Sequence, residues 1–192
     1  MDYIKKFEEI RMADIGQVGG KNASLGEMIS NLSKRGIKIP TGFAITAKGY
    51  WRFLEHNNLV PELKKLLSAL LDYTDIKAIA NVGSAVRAKI LQGSIPDDLA
   101  AEIVAAYKDL SKHYNQENCD VAVRSSATAE DLPTASFAGQ QESYLNISGA
   151  PAVLEAYKKT VASLFTDRAI VYRQEKGFDH FKIALSAGAQ KK

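Results

Sequence analysis

The apolar residues of this chain change period once, just before Val121, and that change constrains the fold more than any other feature. From Pro61 to His113 they recur at helical spacing. Pro61 suits the first turn of a helix with Leu63, Leu66, Leu67, Leu70 and Leu71 on its buried side. Asp75 starts a second helix, with Ile76, Ile79, Val86 and Ile90 in register, and Pro96 and Asp97 open a third, carrying Leu99, Ile103, Tyr107 and Leu110. Apolar side chains stand where chemistry would need polar groups, so residues 61–113 are expected to form a structural cluster. At Val121 the pattern becomes strict alternation. "CDVAVRSS" reads as a strand and "ESYLNIS" as its hairpin or near partner. A long helix is expected from about Ala150, with Val153, Tyr157, Val161, Leu164 and Phe165 on one face, and "FKIALSAGAQKK" begins another strand. The sum is an α+β fold, rich in helix, around a small mixed or antiparallel sheet. The strand pattern still running at Lys192 suggests a domain cut short.

Two segments carry candidate chemistry. The first is "GQVGGKNASLGEM", where Lys21 follows paired glycines and precedes a helical run. It is not a P-loop, because the positions for the first glycine and the Mg-coordinating hydroxyl hold Ile15 and Asn22. The dinucleotide spacing G-x-G-x-x-G fails as well. Ser24 and Glu27 form a capping-box pattern, Leu25, Met28, Ile29 and Leu32 follow on one face, and Gly36 ends the helix. By itself such a turn is more often a plain helix entry with a solvated lysine. After it come a turn at Pro40 to Gly42, a short strand at Phe43 to Thr46, and a helix capped by Thr46 with Tyr50, Trp51 and Leu54 on a core-type face.

The second segment is the region 121–148. Arg124 ends a strand just before Ser125, Ser126 and Thr128, a guanidinium fork with hydroxyl donors beside it, suited to phosphate oxygens. Pairing of Arg124 with Glu130 or Asp131 is an equal alternative. Between the two strand patterns lie about fifteen small and polar residues, "ATAEDLPTASFAGQQ", a length usually functional or mobile inside a compact domain. Its Gly139 admits close approach of backbone to a ligand, and Ser136, Gln140 and Gln141 are neutral partners for one.

Composition excludes several classes. A net charge of +3, without a basic run interleaved with aromatics, does not argue for nucleic acid. Cys119 is the only cysteine, so no internal disulfide or thiolate metal site forms, which suits a reducing compartment. The start "MDYIKKFEEIRM" lacks the apolar core of a signal peptide, and no segment reaches the length of a membrane span. A cytoplasmic location is expected. His56, His113 and His180 are isolated, without metal-site spacing, and read as structural or surface residues. Ser125 and Ser126 lack a nucleophile-elbow context.

Taken together, "VGGKNASLGEMISNLSKRGIKIPTGFAIT", "VAVRSSATAEDLPTASFAGQQESYLNI" and "SLFTDRAIVYRQEKGFDHFKIALSAGAQ" closely resemble the N-terminal ATP-binding domain of the phosphoenolpyruvate synthase (pyruvate, water dikinase) family, shared with pyruvate phosphate dikinase and the rifampin phosphotransferases. The resemblance covers essentially all of residues 1–192 and implies part of an ATP-grasp-like nucleotide domain. It implies ATP-binding roles for Lys21 and Arg124 on the phosphates, Gly139 in a loop closing over them, Ser143 where relatives often have threonine, and Gln190 on the nucleotide. The last motif departs from the family at Ala189 and Lys191-Lys192, which puts the setting of Gln190 in question. ATP and Mg²⁺ are the implied cofactors, with the Mg²⁺ ligands in a further half of the domain. A phosphohistidine domain and a pyruvate-binding barrel, also elsewhere in such enzymes, would complete the reaction, so no catalytic residue is expected within these residues and pyruvate is a partner only through those domains. The whole enzyme is expected to be a homodimer, with neither nucleic acid nor membrane as partner. Two alternatives stand: the ATP-binding part of a rifampin-type phosphotransferase, or a non-catalytic interaction module.

Overall fold

The computed structural model describes residues 3–128 and 142–192, together with the backbone of 131–132 and 135–136. Its centre is an antiparallel sheet of five strands in the order β1-β2-β7-β3-β6. These are β1 (Ile4–Lys6), β2 (Gly42–Ile45), β3 (Val121–Ala127), β6 (Ser143–Ile147) and β7 (Leu185–Lys191). The short segments β4 (Asp131–Leu132) and β5 (Ala135–Ser136) pair separately, within the long stretch the sequence reads as a functional or mobile loop. The longest pairing joins the middle strand β7 to β3, in register from Val121↔Lys191 to Ala127↔Leu185.

Strand alternation divides the sheet into two faces. Val121, Val123, Ala127, Leu185, Ala187, Ala189, Phe43 and Ile45 point into the main core. That core is closed by α2 (Ala47–His56), α3 (Leu59–Ser68), α4 (Ile76–Gln92), α5 (Asp97–His113), α6 (Ala150–Ser163) and α7 (Asp167–Glu175). Burying the valine, leucine, isoleucine and phenylalanine side chains among these contributes about 1.5–3 kcal/mol each. The other face carries small residues and is covered by α1 (Ile15–Ser33), through a second cluster of Phe7, Ile10, Val18, Ala23, Ile29 and Ala44.

Several helix ends follow their expected chemistry. Asp75 caps α4 by accepting from Lys77 N at 2.9 Å and Ala78 N at 3.0 Å. Pro96 precedes α5, whose Leu99, Ile103, Tyr107 and Leu110 are all buried. In α6 and the turn after it, Val153, Tyr157, Val161, Leu164 and Phe165 are buried as expected. Gly36, at φ 77°, follows α1.

Other expectations need correction. α1 does not begin at Ser24: helical residues start at Ile15, break at Gly19 (φ 73°, ψ 165°), and resume. Ser24 and Glu27 therefore lie inside the helix. Glu27 accepts from Met12 N at 3.3 Å instead of capping α1, clasping a 3₁₀ turn at Met12–Asp14 onto it. Thr46 precedes α2 but makes no side-chain cap bond, and its hydroxyl is buried without a partner among the described residues. On α2, Phe53 joins Tyr50 and Leu54 in the core, whereas Trp51 is only half-buried. Leu71 and Ile76 lie outside the core, 91% and 80% exposed, because α3 stops at Ser68 and α4 starts only at Ile76.

Candidate phosphate-binding site

The site is built where the break in α1 meets the central strands. Gly19 has two reasons to be glycine: its φ is positive, and a Cβ there would collide with Ser126 on β3. The close approach lets Ser126 act across the tertiary structure as a cap. Its hydroxyl accepts from Asn22 N at 3.2 Å, one of the orphan amides of the resumed helix. Asn22 Nδ2 donates to Ser186 Oγ at 3.0 Å on β7, and Ser186 Oγ donates to the carbonyl of Ile45 on β2 at 2.7 Å. Asn22, Ser126 and Ser186 are all buried. A neutral polar network thus stitches the start of the helix to three strands, and each hydrogen bond is satisfied out of contact with water.

Beside this network opens a cavity of about 180 Å³. Lys21 and Arg124 both line it, Lys21 from the first turn after the break and Arg124 from β3. Gln190 lines it from β7, and Phe7 and Leu25 form its apolar side. Ser125, Asn22 and Gly188 complete the lining, which contains no carboxylate among the described residues. The structure therefore brings together three of the five site residues expected from sequence. Gln190 also donates from Nε2 to the carbonyl of Pro40 at 2.9 Å, so its side chain is already anchored at the rim. Ala189, the departure beside it, points to the opposite face and packs in the main core.

Ser143 sits differently. It lies directly across from Arg124 in the β3–β6 ladder, exposed, outside the cavity lining. That register depends on an irregularity: Val121 pairs with Ile147 but Val123 with Tyr144, and Asn146 takes up the extra residue with φ 57°. Without this bulge Tyr144 would face Arg124. Gly139, Glu130, Gln140 and Gln141 lie outside the described residues, as do the side chains of Asp131 and Ser136. Among the described residues no carboxylate pairs with Arg124.

Two of the hydroxyls after Arg124 are turned to partners within the protein. Ser126 is engaged with Asn22, and Thr128 forms a closed pair with Ala184, accepting from its amide at 3.3 Å and donating to its carbonyl at 3.2 Å. Only Ser125 reaches the cavity lining. The sequence reading passed over Asn22 and Gly188; an asparagine in a buried helical register beside Lys21 is the signal that could have found the first.

Larger hollows lie elsewhere, one of about 580 Å³ along Arg87, Tyr144, Lys159 and Asp167, and one of about 710 Å³ along Ile37, Pro40 and Tyr114. Size is not the criterion here. The first has Glu142 and Asp167 among its cations, and the second is lined by Glu8 with a single lysine, Lys38. The small cavity has two cations converging from separate elements beside a helix N-terminus, the arrangement that favours an anion. Its volume is below the roughly 300–1,000 Å³ of sites that enclose a whole small molecule, and matches a phosphate group better than a nucleoside. No group of three or more His, Cys, Asp or Glu residues that could hold a metal ion occurs among the described residues, and no helix there is long and apolar enough to cross a membrane.

Comparison with known proteins places the whole chain among relatives of known kind. The chain is 54% identical over 184 residues to phosphoenolpyruvate synthase of Aquifex aeolicus, covering 96% of this chain and 21% of that protein. It is 52% identical to the Neisseria meningitidis synthase (99% of this chain, 24% of that protein) and 48% identical to the Escherichia coli synthase (96% and 23%). The chain thus spans about a quarter or less of the length of these curated relatives. Residues 15–192 match the family described as pyruvate phosphate dikinase, AMP/ATP-binding domain. With that match running from the first residue of α1 through both cavity-lining strands, the chain belongs to the pyruvate phosphate dikinase AMP/ATP-binding domain family.

Proposed function

We propose that this chain is part of the ATP-binding domain of a phosphoenolpyruvate synthase, and that its role is to hold the phosphate end of ATP. The observation that carries the proposal is the convergence of Lys21 and Arg124 on one cavity lined by no carboxylate among the described residues. Arg124 offers a planar fork for two phosphate oxygens and Lys21 a compact point charge, complementary ways of holding a polyphosphate. Gln190 adds a neutral amide and Ser143, across the ladder from Arg124, a hydroxyl, while the family resemblance assigns Gly139 a further contact to the nucleotide. Each charge-assisted bond contributes roughly 1.5–3 kcal/mol when well formed. Positioning and electrostatics are most of what phosphoryl transfer asks of a protein.

The reaction of the whole enzyme would convert ATP, pyruvate and water to AMP, phosphoenolpyruvate and phosphate through a phosphohistidine. The histidine and the pyruvate site belong to other parts of such an enzyme, so residues 1–192 alone bind without turning over. Mg²⁺ would accompany the nucleotide on ligands outside the described residues. The five-stranded antiparallel sheet with helices on both faces suits one portion of an ATP-grasp-like domain, working in the cytoplasm. The close synthase relatives favour this reading over an antibiotic phosphotransferase.

Calorimetric titration with Mg-ATP tests it. Binding should weaken by about tenfold or more in Lys21→Ala and in Arg124→Ala, given the strength of charge-assisted bonds. A folded wild-type chain that binds no Mg-ATP would instead favour an interaction module.

A further inference from the structure

We propose that Asn22 is the positioning residue of the phosphate site, holding Lys21 in place beside Arg124; this rests on the phosphate-binding reading above. Three observations converge. Asn22 is 4% exposed and spends its backbone N–H on Ser126 and its side-chain amide on Ser186, so one residue fastens the resumed helix to both central strands. Its Oδ1 occupies the space where a Cβ of residue 188 would stand, and Phe7 Cζ is the next neighbour at 3.2 Å. Gly188 in turn is the register partner of Arg124. Asn22 therefore seats the helix directly over the strand pair that carries the arginine, one residue after the lysine that must meet the same ligand.

The fit is one of size as well as of hydrogen bonding. Any side chain at 188 would displace Asn22 and lift the helix, and with it Lys21. A shorter residue at 22 would remove the Ser186 bond and leave a gap over Gly188. In either case the fold has other anchors in the Phe7, Ile10 and Val18 cluster, so the first consequence is loss of registration between the two cations.

A double-mutant cycle separates positioning from simple support. Wild type, Asn22→Ala, Lys21→Ala and the double variant are each titrated with Mg-ATP. The expected result is that Lys21→Ala weakens binding about tenfold in the wild-type background but less than about twofold in the Asn22→Ala background, because the lysine has already lost its place. If Lys21→Ala costs the same factor in both, Asn22 acts independently and the proposal is overturned. A Lys21→Ala variant that binds as wild type does would sink the phosphate reading itself, and the positioning role with it. Should Asn22→Ala fail to fold, Ser186→Ala removes the same bond from the other side and the cycle is read with it.

Discussion

Among the described residues Arg173 is the most deeply buried charge, at 0% exposure. It donates from Nη1 to the carbonyl of Leu164 at 2.6 Å and from Nε to His180 Nδ1 at 2.8 Å, and lies 5.2 Å from the centroid of the Phe165 ring. No carboxylate pairs with it among the described residues. Burial lowers its pKa to about 10, so it remains a cation at neutral pH. His180 accepts from that cation and must therefore be neutral; burial first, and then the charge of Arg173, drive its pKa from 6.5 to about 4. Between those two values the unfolded chain binds a proton at this residue that the folded chain refuses. Stability should fall as pH drops from about 6.5 toward about 4. Melting curves across that window should show a steeper loss for wild type than for His180→Gln, which has no proton to gain; equal slopes would contradict the assignment. The sequence left His180 as either a structural or a surface residue, and its burial against Arg173 selects the first. Arg173 itself was illegible, because nothing in "VYRQEKGFDH" distinguishes a buried arginine from a solvated one.

At the scale of elements, helical periodicity identified faces well and ends poorly. Ile103 and Leu71 both belong to apolar stripes in the sequence, yet one is fully buried and the other is 91% exposed. The periodicity was right about direction, but α3 ends before it can carry Leu71 inward. Truncating Ile103 to alanine should cost about 2–5 kcal/mol, whereas Leu71→Ala should stay within about 0.5 kcal/mol. Urea unfolding of both variants decides the matter, and a costly Leu71→Ala would mean that something else covers that residue. The Asp75 cap was readable in full, since an aspartate before a periodic run needs only its own next three residues to form. Asp75→Ala should lower stability by about 1 kcal/mol. The Ser24 and Glu27 pattern misled for the opposite reason: the local signature was present, but the break at Gly19 had already supplied a helix start upstream.

For the molecule as a whole, the arrangement of two cores on one sheet explains why the proposed phosphate site is small. The large face is fully committed to helices α2 to α7, and the small face leaves only the gap between α1 and the strands. A cavity of about 180 Å³ with two cations should therefore recognise phosphates apart from the nucleoside. Inorganic tripolyphosphate should compete with Mg-ATP for this chain while adenosine should not, and the affinity should fall as salt screens the partly exposed charges. Competition by adenosine alone would place the main recognition elsewhere.

The sequence by itself determined the family, the α+β class, the presence of helices between residues 61 and 113, the strand pairing of "VAVRSS" with "SYLNI" and, through the family resemblance, the candidacy of Lys21, Arg124 and Gln190. The class, the helices and the pairing are short-range patterns, whereas the site candidates rest on the family resemblance, since Lys21 by itself reads as a helix entry and Arg124 equally as a carboxylate partner. Only the tertiary structure decided that β7 lies between β2 and β3, that Ser126 caps a helix more than a hundred residues before it, and that Asn22 fills the place of a missing side chain at Gly188. Such contacts join residues far apart in the chain, and their free energy comes from excluding water and matching shape once the sheet has assembled, so no local stretch carries them alone.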